Sequence, residues 1–181
     1  MTPTAQAARP MRTRHPSRVW PGLLIGAAAG AAGTTALNVI TYLDMAVRGR
    51  GTSTTPERTV EALAKLVHLT VPGTGDPLAN RLTGLGALTG YTAGIGIGVI
   101  LGLAYALGWQ PGLLLATLAA ALFALLGTNG PMIVLGVTDP RAWGAVGWIS
   151  DVIPHLGYGV VAALLLHYFY RSSRSPETPP G

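Results

Sequence analysis

The stretch LGALTGYTAGIGIGVILGLAYAL, residues 85–107, decides the fold. It contains no charged side chain, and a helix of about 20 apolar residues is long enough to cross the roughly 30 Å hydrocarbon core of a bilayer. Glycine recurs at every fourth position, and residues four apart lie along one face of a helix. These glycines are Gly86, Gly90, Gly94, Gly98 and Gly102. The stretch therefore predicts a membrane-spanning helix with one nearly side-chain-free face, which we call the glycine stripe.

Three more stretches are as apolar, and the composition agrees with a membrane protein. Charged residues make up only 10% of the chain, against about 25% in soluble domains, so a large water-exposed surface is excluded. The sequence predicts an all-α integral membrane four-helix bundle. The third span should kink or break near residue 130, because Pro131 lacks a backbone N–H. The four spans are predicted over residues 18–47, 84–108, 111–137 and 140–170, and the last range includes an interfacial turn or helix ahead of the span.

Small residues also mark the first predicted span. Apolar burial cannot drive helix association in lipid, because acyl chains are as apolar as leucine, so close backbone contact must do it. Gly22, Gly26 and Gly30 repeat the spacing of four seen in the glycine stripe. We therefore predict that the first two spans pack against each other through glycines. A homo-oligomer seam or a pore lining is the alternative, and the pattern does not separate them.

The connection between the first two spans, residues 48–83, contains a second helical pattern. Thr55 and Pro56 make a good helix start, with a capping hydroxyl ahead of a proline that needs no amide partner. Apolar residues then share one face and charged residues the other, at helical spacing. The pattern predicts a short amphipathic helix over about residues 56–69, lying on the membrane surface or capping the bundle.

Four spans place both termini on the same side of the membrane. Arg12, Arg14 and Arg18 come directly before the first span, with no acidic residue nearby. The positive-inside rule gives such residues most weight, so cytoplasmic termini are favoured. The polar tails, residues 1–17 and 171–181, are expected to be disordered. Arginine outnumbers lysine eleven to one, which indicates a GC-rich bacterial genome.

Polar side chains gather in one leaflet of the predicted bundle. Consecutive spans run in opposite directions. The first and third spans therefore end, and the second and fourth begin, on the side of the membrane that carries the long loop. Polar groups in hydrocarbon are costly and usually face a bundle interior or a water-filled cavity. Asp151 and His155 are four apart and share a helix face. The candidate site consists of Asn38, Asp44, Asn129, Asp151 and His155. The cluster either holds the helices together by hydrogen bonds or forms a functional site.

No complete catalytic set accompanies this cluster. The chain has no cysteine, which excludes disulfides and thiolate chemistry. His155 and His167 are about 18 Å apart by helical rise, too far to ligate one metal or haem from the same chain. We therefore expect no catalytic residue, metal or cofactor.

Three functions are open. The sequence favours a non-enzymatic accessory or envelope protein of the bacterial plasma membrane. The alternatives are a small proton- or ion-coupled transporter or channel using Asp151 and His155, since histidine titrates near neutral pH, and a lipid-modifying enzyme with His155 as base. The expected partners are the lipid bilayer and either a second copy or another membrane protein. The net charge of +5 is attributed to topology and anionic lipid, not to nucleic acid.

Two segments carry a resemblance, TTALNVITYLDMAVRGRGTSTTPE at 34–57 and GPMIVLGVTDPRAWGAVGWISDVIPHLGYG at 130–159. They resemble uncharacterised small multi-pass membrane proteins of GC-rich Gram-positive bacteria, over about residues 20–170. No activity is known for that group. The resemblance therefore implies a multi-pass membrane protein and assigns no role to any residue.

Overall fold

The computed structural model describes residues 19–172, and this range forms five α-helices and no strand. Four of the helices, all except α2, are long and apolar enough to cross a membrane. The prediction of an all-α integral membrane four-helix bundle is confirmed. The helices are α1 (Val19–Arg48), α2 (Thr55–Leu66), α3 (Gly75–Ala106), α4 (Leu113–Val134) and α5 (Ala145–Ser172), with a 3-10 turn at Pro140–Ala142.

The chain ends need one correction. The predicted tail over residues 1–17 lies outside the described residues, and so do residues 173–181. Arg171 and Ser172, which the sequence assigned to the second tail, instead complete α5.

Helix α3 extends well past the predicted span. It begins at Gly75 instead of residue 84, and its 32 residues correspond to about 48 Å of helix, against a core of roughly 30 Å. The first turns carry Asp76 and Arg81, both exposed. This end of α3 therefore projects beyond the hydrocarbon, where hydropathy gives no signal of a helix.

Helix α2 packs against the projecting end of α3. Its buried face includes Thr59 and Val60, and its Glu57 Oε1 accepts a hydrogen bond from Thr83 Oγ1 at 3.0 Å. The helix ends at Leu66, three residues before the predicted end. The predicted amphipathic helix thus exists and lies against α3.

Neither internal proline ends its helix. Helix α4 continues past Pro131 to Val134, and α5 continues past Pro154 to Ser172. The predicted break near residue 130 is therefore wrong. A proline removes one hydrogen bond of the helix, and packing against neighbouring helices allows a membrane span to tolerate that loss.

The contact between α1 and α3 is the most extensive in the bundle, as predicted for the first two spans. The two backbones approach so closely that a Cβ on Gly26 would lie 3.0 Å from Gly102 Cα. The glycine stripe is not continuous, however. Gly86 lies against Pro56 of α2, and Gly90 is exposed with no heavy atom of another helix within 4 Å of the position of a Cβ. The glycines at the α1–α3 contact are Gly22, Gly26 and Gly30 of α1 and Gly94, Gly98 and Gly102 of α3.

Helix α5 lies in contact with both α1 and α4. Tyr158 is 1% exposed, and its ring fills the space beside Gly33 of α1. On the α4 side, a Cβ on Gly159 would lie 2.9 Å from Ala121 N. Helix α5 thus joins α4 to the α1–α3 pair.

Candidate functional site

Asn129 of α4 and Asp151 of α5 form the centre of the candidate site. Asn129 is 8% exposed, and its Nδ2 donates a hydrogen bond to Asp151 Oδ2 at 2.7 Å. The Asp151 side chain is 24% exposed, so the carboxylate keeps partial access to the loop-side surface. This hydrogen bond, which a carboxylate acceptor strengthens, links α4 to α5.

His155 lies one turn further along α5 and is 7% exposed. Its Nδ1 lies 2.7 Å from the Asp151 carbonyl oxygen, which can only accept, so Nδ1 carries a proton. Its Nε2 lies 3.1 Å from Thr128 Oγ1, and this hydroxyl also lies 2.9 Å from the Ala124 carbonyl oxygen.

The Thr128 hydroxyl can form a hydrogen bond with His155 in either protonation state of the imidazole. When the imidazole is neutral, Thr128 donates to Nε2. When the imidazole is charged, Nε2–H donates to Thr128 Oγ1, and the hydroxyl hydrogen turns to the Ala124 carbonyl. Asp151 Oδ1 lies 3.6 Å from His155 Nδ1. The site therefore holds both forms without moving a heavy atom.

Asp44 belongs to a separate group of charges at the end of α1. Its Oδ1 lies 2.7 Å from Arg48 Nε, and its Oδ2 lies 2.6 Å from Arg50 Nε. Arg48 Nη2 also donates to Ser150 Oγ of α5 at 2.6 Å. Asp44 thus helps to connect α1 with α5, and within residues 19–172 no hydrogen bond joins it to Asp151.

Asn38 is partly buried in α1. Among the hydrogen bonds of the described residues, none joins it to another member of the candidate site. The five predicted residues therefore divide into three groups. Asn129, Asp151 and His155 come together, Asp44 pairs with two arginines, and Asn38 stands apart from both.

Two tyrosines donate hydrogen bonds to backbone carbonyls of the glycine stripe, and neither was predicted from the sequence. The Tyr158 hydroxyl donates to the Gly94 carbonyl at 2.7 Å, and the Tyr170 hydroxyl donates to the Gly102 carbonyl at 3.0 Å. Glycines leave their carbonyls uncovered, and a buried phenol requires a hydrogen-bond acceptor. A tyrosine inside or at the end of an apolar span was the signal that could have found them.

The surroundings of His155 are apolar. The ring lines a cleft of about 170 Å³ between α4 and α5, together with Leu118, Ala121, Leu122, Leu125, Val152 and Leu156. No cluster of three or more histidine or acidic residues able to hold a metal is found in the described range. The arrangement can hold a proton and fasten two helices, and the cleft offers no further polar group to orient a substrate.

Comparisons of the chain with protein-family models, with curated proteins and with solved structures give no match. The function must therefore be argued from this geometry and from the membrane topology.

The Asn129–Asp151 hydrogen bond predicts a measurable coupling between α4 and α5. In a double-mutant cycle with Asn129→Ala and Asp151→Ala, we expect a coupling energy of about 1 kcal/mol. Interhelical hydrogen bonds in membranes average about 0.6 and reach about 1.7 kcal/mol, and the charged acceptor favours the upper part of this range. The cycle is measured by unfolding the full chain in mixed micelles. The control pair Asn38→Ala with Asp151→Ala should show no coupling, and equal values for both pairs would contradict the link.

Proposed function

We propose that the chain is a non-enzymatic accessory protein of the bacterial plasma membrane, in which the polar cluster fastens helices. The observation that carries the proposal is the mutual pairing of the polar groups. Asn129 donates to Asp151, and both ring nitrogens of His155 have partners inside α4 and α5. Side chains paired in this way satisfy the high demand for hydrogen bonds inside a membrane.

The filled interior supports the same proposal. A solute pathway requires a polar route through both leaflets. Toward the far side of the bundle, Tyr105 and Leu166 are 2% and 1% exposed, and α1 contacts α3 backbone to backbone. These contacts favour a compact packing unit over a conduit within one copy of the chain.

The orientation and the partner are part of the proposal. Both termini are cytoplasmic, because Arg12, Arg14 and Arg18 precede α1 without a neighbouring acid. On the loop side, Asp44 lies between Arg48 and Arg50 and offsets part of their charge. The partner is a second copy of the chain or another membrane protein, in keeping with an accessory role.

A small proton-coupled transporter is the second candidate, and one observation favours it. The hydrogen bonds around His155 persist in both of its protonation states, because the Thr128 hydroxyl can reverse its direction. A proton carrier needs a group of this kind. Asp151, at 3.6 Å from the ring and partly exposed, would be the entry point for the proton.

Proton flux in liposomes separates the two candidates. The full chain is reconstituted with an internal pH-sensitive dye, and a proton gradient is imposed. For an accessory protein, we expect wild type, Asp151→Asn and His155→Gln to show the leak of protein-free liposomes. They should also retain a co-purifying partner or second copy equally.

A flux above the protein-free leak that Asp151→Asn abolishes would reject the accessory role in favour of the transporter. Chemical change of a lipid extract only when His155 is intact would reject it in favour of an enzyme. Asn38→Ala is the control variant for both assays, because its side chain lies outside the Asn129–Asp151–His155 group.

A further inference from the structure

A second cleft, of about 510 Å³, lies on the loop side of the molecule between α2 and the connection from α4 to α5. Arg58 of α2 and Arg141 of the 3-10 turn line it from two separate elements. Ile133 and Val137 contribute apolar lining, and Thr138 and Asp139 contribute polar lining. The cleft thus combines positive charge with an apolar surface.

Positive charge is in excess in this cleft. Among residues 19–172, no acidic side chain lies within ion-pair distance of Arg58. The Arg141 side chain is 95% exposed, and its Nε lies 3.7 Å from Asp139 Oδ1, a distance at which an exposed pair binds weakly. Asp139 Oδ1 also accepts the backbone N–H of Arg141 at 3.0 Å, so the carboxylate holds the turn that presents Arg141.

The cleft lies at the end of a candidate membrane-spanning helix. Helix α4 ends beside it at Val134, which is 87% exposed. Trp143 of this connection and Trp148 in the first turn of α5 contact each other edge to face, with ring centroids 5.1 Å apart. Tryptophan is enriched where a bilayer meets water. A ligand in the cleft can therefore touch the headgroup region and the upper acyl region together.

We propose that this cleft binds the phosphate of an anionic phospholipid. Guanidinium groups match phosphate oxygens with paired N–H donors, and Arg58 and Arg141 supply two of them. Thr138 Oγ1 already accepts from Trp143 Nε1 at 3.1 Å, so its hydroxyl hydrogen is directed elsewhere and can be a third donor. The first acyl carbons lie on Ile133 and Val137. The site is distinct from the Asn129–Asp151 pair and goes beyond the proposed accessory role.

Native mass spectrometry of the full chain tests this site. The protein is purified in detergent and mixed with equal amounts of dioleoylphosphatidylglycerol and dioleoylphosphatidylcholine. Wild type should retain the anionic lipid preferentially. Arg58→Gln with Arg141→Gln should lower that retention by roughly fivefold for each arginine lost, as expected for cationic side chains near an anionic surface.

The matched control is Lys65→Gln with Arg81→Gln, which removes two positive charges from the same side of the membrane outside the cleft. This control variant should retain the anionic lipid to within twofold of wild type. Equal losses in the two double variants, or no preference for the anionic lipid in wild type, would overturn the proposal. Displacement of the lipid by millimolar inorganic phosphate would overturn it too, because the site would then bind free phosphate. If the double variant fails to fold, Arg141→Gln alone carries the test, since that side chain is 95% exposed.

Discussion

Gly98→Val is expected to separate α1 from α3 and to prevent the native bundle from forming. A Cβ at Gly98 would lie 2.5 Å from Gly30 Cα and 2.6 Å from Gly30 N. These are backbone atoms of the facing helix and cannot rotate away as a side chain can. Overpacking a core typically costs 1–3 kcal/mol, and a clash with a backbone lies at or above the upper end. We therefore expect the free energy of unfolding to fall by at least about 3 kcal/mol.

Gly90→Val is the matched control for this substitution. Gly90 follows the same four-residue spacing in the same helix, but no heavy atom of another helix lies within 4 Å of the position of its Cβ. We expect a change within about 0.5 kcal/mol, as for an exposed site. Both variants are unfolded in mixed micelles against wild type. Equal destabilisation by the two valines would disprove the observed register of α1 on α3.

Tyr158→Ala is expected to have the second large effect. The ring is 1% exposed, lies beside Gly33 of α1 and reaches the Gly94 carbonyl of α3. Removing a buried aromatic side chain leaves a cavity and costs about 3–5 kcal/mol. Tyr158→Phe removes only the hydroxyl, and should cost about 0.5–1.5 kcal/mol, the usual net value of one hydrogen bond.

Tyr168→Ala provides the comparison within the same helix, because Tyr168 is 66% exposed. Its effect should stay within about 0.5 kcal/mol. Unfolding in mixed micelles measures all three tyrosine variants. A Tyr158→Ala variant as stable as Tyr168→Ala would show that α5 does not use this ring to hold α1 and α3.

The fold was predictable because the membrane imposes it. Chains cross hydrocarbon as helices, since backbone groups there have no water to bond. The length and apolar composition of a sequence stretch are enough to identify such a helix. Hydropathy could not find the start of α3 at Gly75, because that end lies outside the hydrocarbon. Spacing placed five glycines on one face, but could not show that Gly90 faces open space while the other four are covered.

The candidate site was predictable only in part. The spacing of Asp151 and His155 alone places them on one helix face. The position of Asn129 along its span places it at the same depth in the membrane. The separation of Asn38 and Asp44 depends on how the helices rotate against each other, which spacing within one helix does not determine. Ser150 was missed for the same reason, since it meets Arg48 of α1 only in the assembled bundle. Arg50 was also missed, although it pairs locally with Asp44 just beyond the end of α1.

The position of α5 has a consequence for biosynthesis. A chain made from its N-terminus delivers α1 and α3 first, and these two can pair through their glycines at once. Helix α4 enters the bilayer before its main partner exists, and Asn129 then has no carboxylate to bond. Helix α5, which follows α4 along the chain, supplies Asp151, Gly159 and Tyr158 together. The Asn129–Asp151 hydrogen bond and the packing of α4 against α5 can therefore form only after α5 has been made.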